Sequence, residues 1–232
     1  MSKKAEFDQF AADYREIHAA NIGASGEEPE YLAAYKMKNL ETVLREAQAP
    51  NAGRYFDFSC GVGTYIAHFR HRLPAASLLC SDVSEESLSQ ARKLRQKCLE
   101  FAVIKDGEIS AALQSPNGAF ACCVFHHIPP QDHGSCLLEL RRVLRPGAPL
   151  MIYEHSPLNP LTVKAVKTCP LDANAILLRA EHLRATVEKA GFARAQIRYR
   201  VFFPARFAPL RMFEQLLTAL PLGAQYYVKA LA

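Results

Sequence analysis

Three groups of residues have types and spacings that could do chemistry. The first is Asp57-Phe58-Ser59-Cys60-Gly61-Val62-Gly63, where two glycines let the backbone approach a ligand and an acid stands four residues ahead of Gly61. The second is Asp82, 19 residues beyond Gly63, a carboxylate able to accept hydrogen bonds from both hydroxyls of a ribose. The third is the pair of segments His126-His127 and Glu154-His155, whose side chains can take a proton from a nucleophile. Strand, Gly-x-Gly loop, helix, strand and acid, in that order, mean a nucleoside-bearing ligand at the carboxyl ends of parallel strands.

The same loop narrows which nucleoside. A dinucleotide fingerprint wants a third glycine at the position of Ile66, and a pyrophosphate would be repelled by Asp57, so an NAD-dependent oxidoreductase is disfavoured. The chain has no G-x-x-x-x-G-K-[ST], which leaves a nucleotide triphosphatase unsupported. An acid beside the loop instead suits a ligand with an ammonium group, as in S-adenosylmethionine (SAM).

The elements that must position these residues follow from periodicity. Phe7, Phe10, Ala11, Tyr14, Ile17 and His18 recur at three- and four-residue steps, as on one helix face. Gly23-Ala24-Ser25-Gly26 breaks that helix, and a second runs from about Glu30 to Ala47, before Pro50. Thereafter strands and helices alternate: strand Arg54–Phe58, helix Thr64–Arg72, strand Ser77–Cys80, a helix N-capped by Ser84, and strand Phe101–Ile104. Next come strand Ala119–Phe125, helix Leu137–Leu144, strand Leu150–Tyr153, helix Glu181–Ala190, strand Gln196–Phe203 and a final edge strand, Gln225–Leu231. Such alternation predicts a doubly wound α/β sheet with right-handed crossovers.

The stretch from Tyr55 to about Phe192 resembles class I SAM-dependent methyltransferases, in particular the small-molecule branch with type 11 or type 12 methyltransferase domains. The residues that carry the resemblance are Asp57–Gly63, Ser81-Asp82-Val83-Ser84, Val124-Phe125-His126-His127-Ile128 and Arg142-Val-Leu-Arg-Pro-Gly147. It implies a mostly parallel, seven-stranded, Rossmann-like sheet under an N-terminal helical lid, residues 1–50, with the SAM-binding domain over 51–232 and an insertion at about 156–178. It further implies that Asp57, Ser59, Gly61 and Gly63 hold the methionine part of SAM, Asp82 the ribose, and Val83, Asp106, Gly107 and Phe125 the adenine side. Tyr14 and Lys36 would contact SAM from the lid, Lys36 at its carboxylate, with Tyr31 and Tyr35 as further lid contacts. The implied reaction is an SN2 transfer of methyl to a small organic acceptor, leaving S-adenosylhomocysteine. Ser59 departs from the family, which usually has glycine there, and Ala121 stands near a position often held by Asp.

On the acceptor side, His126, His127, Glu154 and His155 are the candidate catalytic residues. Successive strand residues face opposite ways, so one of His126 and His127 is expected to face the cleft. Adding His133 gives a histidine cluster, but its spacing fits no zinc pattern, and no metal is expected. Asn159-Pro160-Leu161-Thr162 is similar to the N-P-P-Y signature of base-amino methyltransferases, yet lacks the second proline and the aromatic and follows the wrong strand. The insertion, with Phe202, Phe203 and Phe207, is expected to form an apolar cap over the acceptor.

Composition sets the remaining bounds. The 232 residues are 50% hydrophobic and 22% charged, ordinary for a globular chain, and no apolar run approaches the ~20 residues that span a bilayer. The N-terminus lacks an apolar signal region, and the seven cysteines contain no C-x-x-C pair, so a reduced, cytoplasmic protein is expected. The net charge of +5 is uneven, with 11 Lys and Arg against 4 Asp and Glu from Leu161 to Ala232. No dense basic stripe results, which makes nucleic acid an improbable partner. An RNA or protein methyltransferase using that basic half, and a non-catalytic SAM-binding module, remain as alternatives, and a homodimer stays open.

Overall fold

The computed structural model describes residues 6–23, 26–105, 107–109 and 115–232. Seven strands form one sheet: β1 Arg54–Phe58, β2 Ser77–Asp82, β3 Leu99–Val103, β4 Gly118–Cys122, β5 Pro149–His155, β6 Ala193–Arg200 and β7 Gln225–Leu231. Their order is β3-β2-β1-β4-β5-β7-β6, with β1 to β5 parallel and β7 antiparallel to both of its neighbours. The chain is thus α/β and doubly wound, as expected.

Period-two alternation sorts the strand side chains into two cores. Phe56, Phe58, Ala119, Ala121, Leu150, Ile152, Tyr226 and Val228 bury on one face, against helices α5 (His133–Val143) and α7 (Ala180–Lys189). Tyr55, Leu78, Cys80, Phe120, Met151, Tyr153 and Tyr227 bury on the other, against α2 (Pro29–Glu46), α3 (Ile66–Arg72) and α4 (Glu85–Arg92). Each fully buried Leu, Ile, Val, Phe or Met among them contributes roughly 1.5–3 kcal/mol. Helix α1 (Tyr14–Ile22), α6 (Pro160–Thr168) and the one-turn α8 (Glu214–Leu217) complete the set.

Three expectations are corrected. The final strand is not an edge: β7 lies between β5 and β6, and its residues 225–228 are buried, whereas β6 is largely exposed over its first half. The fourth strand ends at Cys122, three residues early. Cys123 adopts φ 58°, and the Glu154 carboxylate of β5 accepts the amides of Val124 at 3.0 Å and Phe125 at 2.8 Å, replacing ladder partners. The sixth strand stops at Arg200 in the same way: Val201 has φ 61°, and buried Glu214 accepts the amide of Phe202 at 2.8 Å. Among the described residues no helix is long and apolar enough to cross a membrane.

Candidate functional site

At the carboxyl ends of β1, β2, β4 and β5 lies a cleft of about 2020 Å³. The β1 loop forms one wall through Ser59, Cys60, Gly61 and Val62, and Asp82, Val83 and Gly107 continue it. The opposite wall holds His126, His127, His155 and Asp172. Phe7, Asp8, Tyr14 and His18 of the N-terminal segments cover it, Phe7 edge-on to His127 at 4.9 Å and Asp8 accepting the Ser84 hydroxyl at 2.6 Å.

The loop is shaped by backbone no ordinary residue prefers. Ser59, Gly61 and Gly63 have φ of 61°, 55° and 82°. A Cβ on Gly61 would meet nothing within 4 Å, so that glycine leaves open cleft. A Cβ on Gly63 would lie 2.8 Å from Ile66 and 2.9 Å from Leu94, so this glycine, which is outside the cleft wall, permits the helix to pack. Asp82 Oδ2 accepts the Gly61 amide at 2.8 Å and Oδ1 accepts the Ser84 amide at 2.9 Å, tying the second strand's end to the loop.

Asp57 is 1% exposed, and neither carboxylate oxygen has a protein partner. Burial, with the nearby Asp82 charge, holds its pKa well above the ordinary carboxylate range. A buried acid without a partner costs free energy unless something polar or cationic answers it. Asp57 does not itself line the cleft but stands directly behind the lining stretch Phe58–Val62, and SAM fits the residues present in that its ammonium is the kind of group such an acid can answer, while Gly61 leaves the cleft open.

Lys36 is not a surface lysine. It is buried, donates to Tyr65 Oη at 3.2 Å and to Cys123 Sγ at 3.0 Å, and lies over the Tyr65 and Tyr153 rings. Burial opposes its charge, but the Cys123 and Cys122 sulfurs outweigh that and leave its pKa raised. Burial likewise opposes a Cys123 thiolate, yet Lys36 and His155 bring that thiol down to about 6. Sequence reasoning missed Cys123; its left-handed backbone at a strand end became visible only with the fold.

On the acceptor side, His126 and His127 both line the cleft. They sit in a 3-10 turn, Phe125–His127, not in a strand, so alternation does not separate them. Glu154 is fully buried and absent from the cleft wall; its Oε2 is 2.6 Å from His126 Nδ1, which makes it a positioning residue. Burial alone would lower His126, but Glu154 and Asp172 flank it and hold its pKa at about 10. His18 is pushed down to about 4, first by burial and then by Lys36.

Other expected contacts fall elsewhere. Phe125 is wholly buried, packed against Phe58 and His133, so its ring belongs to the core and not to the cleft wall. His133 Nε2 is engaged by the carbonyls of Phe125 and Ile128, both at 2.9 Å. Tyr35 donates to Glu214 at 2.7 Å and Tyr31 lies beneath Arg211, so neither enters the cleft. Phe202, Phe203 and Phe207 do not line it either; the insertion contributes Cys169, Leu171 and Asp172 instead. Asp106 lies outside the described residues.

Residues 56–147 match the methyltransferase-domain family. No curated protein is significantly similar to the chain in sequence. The chain that accompanies the Haloferax volcanii Trm112 methyltransferase activator in a complex is 18% identical, with a TM-score of 0.67 over 100% of this chain and 99% of its own. A SAM-dependent methyltransferase from Thermotoga maritima is 18% identical, with a TM-score of 0.61 over 97% of each chain. Phosphoethanolamine N-methyltransferase 2 of Haemonchus contortus, solved with S-adenosyl-L-methionine, is 16% identical at a TM-score of 0.55, over 77% of this chain and 48% of that longer one. The family match falls on the strands and loop that build the wall from Ser59 to Asp82, and the sheet carries the fold of these methyltransferases from end to end: residues 56–147 form a methyltransferase domain, within a chain of the SAM-dependent methyltransferase fold.

Proposed function

We propose that the chain methylates a small organic acceptor held between the β1 loop and the histidine wall. The observation that carries this reading is the cover over the cleft: Phe7 packs on His127 while Asp8 reaches Ser84, so residues 6–22 bridge the two walls and act as a lid. A covered cleft suits an acceptor that enters whole, and exclusion of water strengthens the electrostatics inside it.

SAM, when bound, supplies a methyl group on a positively charged sulfur, already activated for displacement. Asp82 takes the ribose hydroxyls, Asp57 answers the ammonium, and Ser59, Gly61 and Gly63 shape the loop around the methionine part. Lys36, held at the cleft by Tyr65 and Cys123, pairs with the carboxylate, while Val83 and Gly107 flank the adenine and Tyr14 closes from above. The chain's task is then chiefly to align the acceptor, which by itself can supply ~7–11 kcal/mol of a barrier. Incubation of the protein and radiolabelled SAM with fractionated cell extract tests this reading. Label should appear in a small molecule that separates chromatographically from SAM and its breakdown products and that does not form without the protein, and label confined to RNA or protein would overturn it.

The full-length likeness to the chain bound to the Trm112 activator favours a second reading, in which the chain works with an accessory protein, and the basic C-terminal half would then allow an RNA or protein acceptor. The exposed Met212, Leu216 and Leu222 offer apolar surface for such a partner. It requires steeply salt-dependent RNA binding or a stable protein complex, and finding neither at low salt removes it.

A further inference from the structure

His126, His127 and Asp172 converge in a way that hydrogen bonding does not explain. His126 Nε2 lies 3.5 Å and His127 Nε2 3.4 Å from the same Asp172 oxygen, Oδ1. Charge-assisted N–H···O bonds close to about 2.7–2.9 Å, so two imidazoles share one acceptor and neither bonds it well. The three candidate ligand atoms all lie within 4.8 Å of one another. A tetrahedral cation about 2.0–2.1 Å from each donor needs them roughly 3.3 Å apart. Two of the three separations are already there.

We propose that His126, His127 and Asp172 bind a divalent transition-metal cation whose open position takes a hydroxyl oxygen of the acceptor. The acceptor half of this inference rests on the small-molecule reading above; the metal half does not.

Each part of the set has a physical reason. Glu154 engages His126 Nδ1 at 2.6 Å, so a cation would have to displace only the proton on Nε2, the nitrogen that faces Asp172, in the arrangement by which a buried carboxylate orients a metal-binding histidine. Asp172 arrives on a 3-10 turn, Pro170–Asp172, and the amide of Ile176 donates to the His126 carbonyl at 2.8 Å, pinning that segment to the histidine turn. Two imidazoles and one carboxylate suit Zn²⁺, Fe²⁺ or Co²⁺ better than Mg²⁺ or Ca²⁺. Three protein ligands leave a coordination position free, and all three line the cleft. A hydroxyl bound there loses its proton to water more readily, because the cation stabilises the oxyanion. That removes the need for a histidine base, a role for which His126, clamped between two acids, is poorly placed.

Titration of chelator-treated protein with Co²⁺ tests this directly. One equivalent per chain should bind, give visible d–d absorption and be displaced by Zn²⁺. His127→Ala and Asp172→Ala should lose the signal while keeping their affinity for SAM, and Glu154→Gln should weaken Co²⁺ by about 10–100-fold. Wild-type protein that binds SAM yet takes up no stoichiometric Co²⁺ or Zn²⁺ would overturn the proposal, as would uptake unchanged in both variants. The wild-type titration decides the matter even if a variant fails to fold, and it stands apart from the outcome of the labelling experiment.

Discussion

Glu154 Oε2 and His126 Nδ1 lie 2.6 Å apart, with both side chains only 1% exposed. The other carboxylate oxygen accepts the amides of Val124 and Phe125, so one residue both ends β4 and aims the imidazole that follows it. Breaking a buried pair by removing one partner typically costs about 3–5 kcal/mol. Glu154→Ala should lower unfolding free energy by that order, measured by urea denaturation. Glu154→Gln, which keeps the amide acceptor, should lose less. Wild-type stability in the alanine variant would show that the pair does not hold this turn.

Asp57 makes ligand-free stability depend on pH. Its folded pKa is raised above its ordinary value of 3.8 by burial and by Asp82, with Tyr65 and Cys122 also facing it. The folded state therefore holds the proton longer than the unfolded chain. Its favourable contribution is complete below 3.8 and is lost as pH rises through the folded value. Asp57→Asn should flatten that loss and make the ligand-free protein more stable at neutral pH, while weakening SAM binding. Denaturation curves across pH, with and without SAM, would read both effects, and a variant less stable than wild type at neutral pH would contradict the assignment.

Asp82 holds the amides of Gly61 and Ser84 at the cleft edge. Hydrogen bonds to a charged group are each worth about 1.5–3 kcal/mol, or roughly 10–100-fold in affinity. Asp82→Ala should weaken SAM by at least that factor in calorimetry. Unchanged affinity would place the ribose elsewhere.

Cys123 should be the thiol that reacts at the lowest pH. It is half-buried, lines the cleft and is held at about 6, with Lys36, His155, Glu154, Tyr14 and Cys122 around it. Iodoacetamide labelling of its peptide, followed by mass spectrometry, should reach half its maximal rate near pH 6, against about 8.5 for a free thiol. Lys36→Met should shift that profile upward. A wild-type profile near 8.5 would show that the ammonium does not stabilise the thiolate.

The fold was largely legible in the sequence because parallel strands buried on both faces announce themselves as apolar runs, as in Ala119–Cys122 and Leu150–Tyr153. The Gly61–Gly63 loop and Asp82 were legible because their spacing is set by one strand–helix–strand unit. Strand ends were not. Residues 124 and 125 leave the sheet because Glu154, about thirty residues away, takes their amides, and Phe202 leaves because Glu214 does the same. Asp172 was illegible for a similar reason: only folding of the insertion brings it to His126 and His127. Tyr35 reads from sequence like a lid contact and instead answers Glu214.

Calorimetric titration with SAM, and then with S-adenosylhomocysteine, tests the account most directly. It predicts one site per chain, competition between the two compounds, and a thermal midpoint that rises with ligand concentration as linkage requires. Folded protein that gives neither heat nor a shift in midpoint with either compound would contradict it.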